Sequence, residues 1–257
     1  MSNYYYLAAS LPPLVFGEVP EISFVELSGR LALNLTKKDF EKTQVLRRYI
    51  DLQNIRSLFL EEPIDPRGFL SEKELDEALL TRTGLPEYVF DFLDQYELLS
   101  DRIRYFSSLL VHYFAEEGPK QDGFLRKFLQ FEREWRLVLI GLRAQEMGRD
   151  LSRELQFEDP KDPFVQDLLV QKDMDRYAPP MEYQEIKEMI AASGFDPWER
   201  YRAFAAFRFS KIEELVDTPL FSIDQILAYL AQLMILESMN ELDKKRGKAI
   251  LDATLVI

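Results

Sequence analysis

The side chains that could do chemistry form a short set. The chain has no cysteine, which removes thiolate nucleophiles, disulfides and sulfur-based metal sites. It has one histidine, His112, inside the apolar stretch SLLVHYF. A bundle di-iron site needs two Glu-x-x-His pairs, and a zinc site needs several Cys or His ligands. One histidine supplies neither, so no metal or cofactor is expected, and the apolar surroundings predict a buried or half-buried structural role for His112. No glycine-rich phosphate loop, no G-x-G-x-x-G and no G-x-S-x-G occurs, which argues against NTPases, dinucleotide enzymes and serine hydrolases. Carboxylates abound, as in EEP, ERE and ELDEA. Their number leaves room for a catalytic pair, but charged residues on helix faces are ordinarily solvated.

Two polar groupings stand out. In RRYIDLQNIR, Arg47 precedes Asp51 by four residues and Asn54 follows it by three, so on a helix the three share one ridge. That ridge runs beside the apolar stripe. It reads equally as an Arg–Asp surface pair or as a polar knot tying this helix to a neighbouring one, with its donors and acceptors satisfied. Neither reading is catalytic. The second grouping is Tyr4, Tyr5 and Tyr6 at the start of YYYLAASLPPL. Three consecutive residues span about 200° of a helix, while on a strand Tyr4 and Tyr6 share a face and Tyr5 opposes them. Either way one ring stays outside the core. The tyrosines are then an aromatic clamp holding the chain's start to the body, or part of a subunit contact.

These residues need elements to position them, and the apolar spacing is helical almost throughout. In 36–60, Val45, Tyr49, Leu52, Ile55 and Phe59 recur at intervals of three and four behind a Thr36 N-cap, and Pro63 and Pro66 close the segment. A shorter helix is expected at 24–35. Ser71 and Glu74 form a capping box, and helices follow at 86–99 and 101–116. After the break GPKQDG comes the longest pattern, about 123–157, with Phe124, Phe128, Phe131, Trp135, Val138 and Leu142 on one stripe. Gly141 and Gly148 in it mark a close approach or a bend. Shorter helices follow at about 163–173, 182–193 and 197–216, the last opened by Asp196-Pro197. Ser222 and Gln225 form a second capping box ahead of 223–239, and a final helix covers 243–255. Residues 4–16 fit both a helix and a short strand. The expectation is an all-α chain of two lobes, 1–117 and 118–257, forming one body.

With 47% hydrophobic and 30% charged residues, the 257-residue chain has an ordinary globular composition. Thirty-two basic against 45 acidic residues give a net charge of −13, which repels phosphate backbones and anionic lipid surfaces. No nucleic-acid partner and no direct membrane insertion are expected, since the densest apolar run, LVLIGL, is far shorter than a bilayer needs. The opening lacks a basic residue before its apolar run, and Pro12-Pro13 interrupts it, unlike a signal peptide. A soluble, intracellular chain is the expectation.

At LRRYIDLQNIRSLFL the chain resembles the hydrophobic-Asp-Leu-x-Asn-hydrophobic helix of the C subunit of A/V-type ATPases, called d in eukaryotes. ILAYLAQLMILESMNELDKKRGKAILDATL (226–255) resembles that family's closing segment. YYYLAASLP is similar to the opening of bacterial proteins encoded beside V-type ATPase subunits. The resemblance implies an all-helical, funnel-like body of pseudo-repeated lobes, here shortened. It implies a non-catalytic central-stalk subunit that couples the rotor shaft to the membrane c-ring during ion or proton transport. Its implied place is cytoplasmic, peripheral at the inner face of the inner membrane through the complex. An 82-residue shift aligns Leu46, Tyr49, Ile55 and Leu58 with Phe128, Phe131, Leu137 and Ile140, but FEREWRLVL has no Asp and Asn matching Asp51 and Asn54. The competing expectation is a cytosolic helical enzyme or regulator with a carboxylate of perturbed pKa in a deep pocket.

Overall fold

The computed structural model describes residues 4–171, 177–194, 196–217 and 220–255, with side chains through 243. The protein is all-α. In chain order the helices are α1 (Tyr5–Ala9), α2 (Phe24–Asn34), α3 (Lys37–Phe59), α4 (Glu72–Thr81), α5 (Glu87–Gln95), α6 (Leu99–Arg104), α7 (Phe106–Glu117), α8 (Gly123–Glu146), α9 (Leu151–Glu154), α10 (Pro163–Leu169), α11 (Glu185–Ser193), α12 (Pro197–Leu215) and α13 (Ile223–Leu255). Among the described residues there is no strand. The strand considered for the N-terminus is a helix, α1, whose amides are taken up locally, as in Ala8 N to Tyr4 O at 2.9 Å.

Side chains open several of these helices, among them the three at Thr36, Ser71 and Asp196 that the sequence predicts. Thr36 Oγ1 accepts from Asp39 N at 3.3 Å. The Ser71–Glu74 box is complete in both directions. Asp196 accepts from Trp198 N at 2.8 Å, with Pro197 as the first helical residue. Asp162 does the same for α10, accepting from Phe164 N and Val165 N. Each of these bonds satisfies an amide that has no partner inside its helix.

Three boundaries differ from the expectation. The segment 101–116 is two helices, α6 and α7, because Tyr105 leaves helical geometry at φ −102° and ψ 15°. Its ring stacks on Tyr96 with centroids 5.0 Å apart and meets Phe157 edge-on. The long pattern 123–157 stops at Glu146. There Gly148, at φ +62°, lets Arg149 N reach Ala144 O and its own N reach Gln145 O, the paired bonds of a Schellman cap. The C-terminal pair of helices is one, since NELDKK, which follows Met239, contains no proline or glycine to stop it.

The chain divides into two compact units, Met1–Thr43 with Met189–Ile257, and Gln44–Glu188. In the first, α13 is the central element. Ile226, Leu227, Leu230, Leu233 and Leu236 are all buried, and α2 and α12 pack against it. Polar ties reinforce that packing: Phe24 N donates to Glu237 Oε1 at 2.6 Å, and Tyr201 pairs with Ser238 at 3.0 Å. In the second unit the stripe on α8 is the core, with Phe124, Phe128, Phe131, Trp135 and Val138 buried. Its far end packs on α9 and α10 through Leu137, Ala144, Leu151, Leu155, Val165, Leu168 and Tyr177. Gly141 is a close approach: a Cβ there would stand 2.5 Å from Tyr177 Cζ. Among the described residues, no helix is long and apolar enough to cross a membrane.

Candidate functional site

The ridge of α3 meets the connection that follows it. After Phe59 the chain leaves the helix through Glu61, a non-glycine residue at φ +57°, and passes Pro63 and Pro66 before α4. Its first amides, Leu60 to Glu62, bond back to carbonyls of α3, but the amides from Asp65 onward need other partners. Three side chains of α3 supply them. Asn54 makes a two-point pair with Asp65, its Nδ2 donating to Asp65 O at 2.9 Å and its Oδ1 accepting from Asp65 N at 2.8 Å. Asp51 Oδ1 accepts from Leu70 N at 3.0 Å. Arg47 Nε donates to Arg67 O at 3.0 Å, and its Nη2 donates to Gly68 O. Asp51 and Asn54 are each 1% exposed.

The grouping is therefore a buried polar knot and not a surface ion pair. It ties α3 to the loop between α3 and α4 instead of to a neighbouring helix. The loop residues that complete it were not singled out in the sequence. Asp65-Pro66-Arg67-Gly68 is a turn, with Gly68 N bonded to Asp65 O at 3.2 Å and the Asp65 carboxylate gripping Arg67 through its N, Nε and Nη2. Aspartate at the first position, proline at the second and glycine at the fourth are a type I turn signature, so DPRG was the available signal. Gly68 has a second reason to be glycine: a Cβ would lie 2.7 Å from both Asn54 Nδ2 and Asp51 Oδ1.

Burial dominates the electrostatics. It pushes the Asp51 carboxyl up to about 6, against the Leu70 and Phe69 amides and the charges of Arg48 and Arg47. Burial also lowers Arg47 from its ordinary value, against the attraction of Asp51. The hydrogen bonds that Arg47, Asp51 and Asn54 make to the loop all run to its backbone, so the knot holds the loop to the helix.

The tyrosines belong to the other unit and split by role. Tyr4 is buried; its hydroxyl donates to Asp39 Oδ2 and accepts from Thr36 N at 3.3 Å, while its backbone N–H donates to Phe221 O at 3.0 Å. Tyr5 is 51% exposed and lies edge-on to Phe221 at 4.7 Å. Tyr6 is 87% exposed and lies against Tyr5. Tyr4 is thus the clamp, and Tyr6 is the ring left outside. His112 corrects its expectation: it is exposed, because the buried side of α7 is Leu109, Leu110, Tyr113 and Phe114 and the helix turns His112 away from them. Among the described residues, no three His, Asp or Glu side chains stand together in a way that could hold a metal ion.

Full-length relatives occur in chlamydiae. Proteins described as uncharacterized from Chlamydia trachomatis serovar D and Chlamydia muridarum are each 28% identical over 258 residues, covering 98% of this chain and 97% of the relative. One from Chlamydia pneumoniae has the same identity and coverage. No solved structure matches the chain. The family profile described as "Protein of unknown function (DUF2764)" matches residues 1–255, and the chain belongs to that family.

Proposed function

We propose that this chain is a non-catalytic central-stalk subunit of a bacterial V/A-type ATPase, coupling the rotor shaft to the membrane c-ring for ion transport. The observation that carries the reading is the segment 46–60, whose Asp-Leu-x-Asn pattern resembles the C subunit. The geometry of that pattern supports a mechanical role. Asp51 and Asn54 are spent on fixing a loop to a long helix, which stiffens a body that transmits force. The C-terminal segment carrying the second resemblance lies within one long helix, α13. A body of net charge −13 suits a basic partner face, since complementary potentials set register. The chain would work at the cytoplasmic face, held at the membrane by its partners.

The competing enzyme reading needs a carboxylate that is both perturbed and open to substrate. Asp51 is perturbed but closed, with its carboxylate on loop amides.

The coupling role is tested by reconstituting the ATPase into vesicles with and without this chain. The expected result is ATP hydrolysis in both and ion transport only when the chain is present. Equal transport in its absence contradicts the proposal.

A further inference from the structure

The unit formed by both ends of the chain contains an open cleft of about 480 Å³. Leu11, Pro12, Leu14, Val216 and Ile226 give it apolar walls, and its polar lining is Glu213, Gln225, Tyr229 and Gln232.

The bonds these four already make determine what they can still offer. Tyr229 Oη donates to Pro12 O at 2.8 Å, which pins the N-terminal wall to α13. Gln232 is only 8% exposed, and its Nε2 is spent on Phe209 O at 3.2 Å and Glu213 Oε1 at 3.3 Å. Gln232 Oε1 and the second carboxylate oxygen of Glu213 are therefore acceptors without a partner among the described residues. Gln225 Oε1 accepts from Phe221 N at 2.7 Å, which leaves its Nε2 as a donor. No cation is among the described lining residues.

Two acceptors on the lining, the Glu213 carboxylate and Gln232 Oε1, beside a leucine and proline wall fit a cation carried on an apolar stem. A guanidinium fits best: its planar fork offers several N–H donors to neighbouring acceptors and is weakly hydrated, whereas an ammonium is a strongly hydrated point charge. An anion would meet the Glu213 carboxylate with nothing to offset it.

We propose that this cleft receives an arginine side chain of a partner protein. Glu213 and Gln232 Oε1 accept from the guanidinium, the stem lies along Pro12 and Leu14, and Gln225 Nε2 donates to a carbonyl of the partner's backbone. This assignment does not depend on the partner being a rotor subunit, so it stands or falls apart from the stalk reading.

The test is an NMR titration of the full chain with the capped tripeptide Ala-Arg-Ala, its citrulline and lysine counterparts serving as controls. Saturable shifts confined to Gln225, Tyr229 and Gln232 are expected, with citrulline weakening binding by about tenfold or more, the loss of one charge-assisted contact. Glu213→Gln, which keeps an acceptor for Gln232 Nε2, should lose binding with its spectrum otherwise intact. Val216→Trp, which fills the cleft and leaves the charge, should lose it too. Unsaturable shifts scattered over the acidic surface, equal affinity for the citrulline or lysine peptide, or unchanged affinity in either variant would overturn the proposal.

Discussion

Asp51 is a carboxylate surrounded by protein, and its energetics follow from that. The folded chain raises its pKa from 3.8 to about 6 by burial, so the fold binds this proton more tightly than the unfolded chain does. Acid therefore favours the fold at this residue. The contribution is complete below the unfolded value and is lost as pH rises through about 6, a difference of about 3 kcal/mol. Asp51→Asn retains an acceptor for Leu70 N and cannot ionise. Its melting temperature relative to the parent should rise between pH 5 and pH 7, and a flat or falling difference would refute the argument. Asn54→Ala is the opposite case. It leaves the Asp65 N–H without its acceptor, while Asp65 O keeps the Gly68 N–H, and should lower stability by about 1–3 kcal/mol in urea unfolding at any pH. The spacing that put Arg47, Asp51 and Asn54 on one ridge was legible, because helical periodicity fixes it. Their partners were not, because the loop they hold is defined by backbone amides, which a sequence does not distinguish.

At the scale of elements, the same device occurs twice with its charges reversed. Asp51 and Asn54 on α3 sit 82 residues before Arg133 and Arg136 on α8, since 133 − 51 and 136 − 54 are both 82. On α8 the helix supplies the cations and the following segment supplies the acids. Arg133 Nη2 reaches Glu158 at 3.0 Å, its Nη1 reaches Asp162 at 2.9 Å, and Arg136 pairs with the other oxygen of Glu158. The missing Asp and Asn in FEREWRLVL are therefore replaced by two arginines that also anchor a downstream segment, and that segment also ends in a helix cap, Asp162. The Glu158 side chain is 3% exposed, so Glu158→Gln should destabilise by about 3–5 kcal/mol in chemical unfolding, the penalty for leaving buried charge uncompensated. Gly141 and Tyr177 test the packing of the same unit. Gly141→Ala should lower stability by about 1–3 kcal/mol through its clash with the Tyr177 ring. Tyr177→Phe should be neutral or stabilising, because the buried hydroxyl has no partner among the described residues. Helix identity was legible along nearly the whole chain because apolar spacing and caps agree. The Gly148 that the sequence marks as a close approach or bend ends α8, while the break at Tyr105, set by ring packing, and the continuation of α13 were not legible.

At the scale of the molecule, the all-α fold and the absence, among the described residues, of a helix long and apolar enough to cross a membrane both follow from composition and period. The proposed function does not follow from composition, because the mechanical subunit we propose needs stiffness and complementary surfaces, and neither has a residue signature like that of a metal or phosphate site. The stalk reading therefore rests on 46–60 and 226–255, and binding decides it. The most direct measurement is capture of ATPase subunits by the tagged full chain from detergent-solubilised membranes of the cells that encode it, identified by mass spectrometry. The account predicts that the rotor shaft subunits and the c-ring co-purify in fixed proportion to the chain. Recovery of the chain without either, under conditions that keep the ATPase intact, would contradict it.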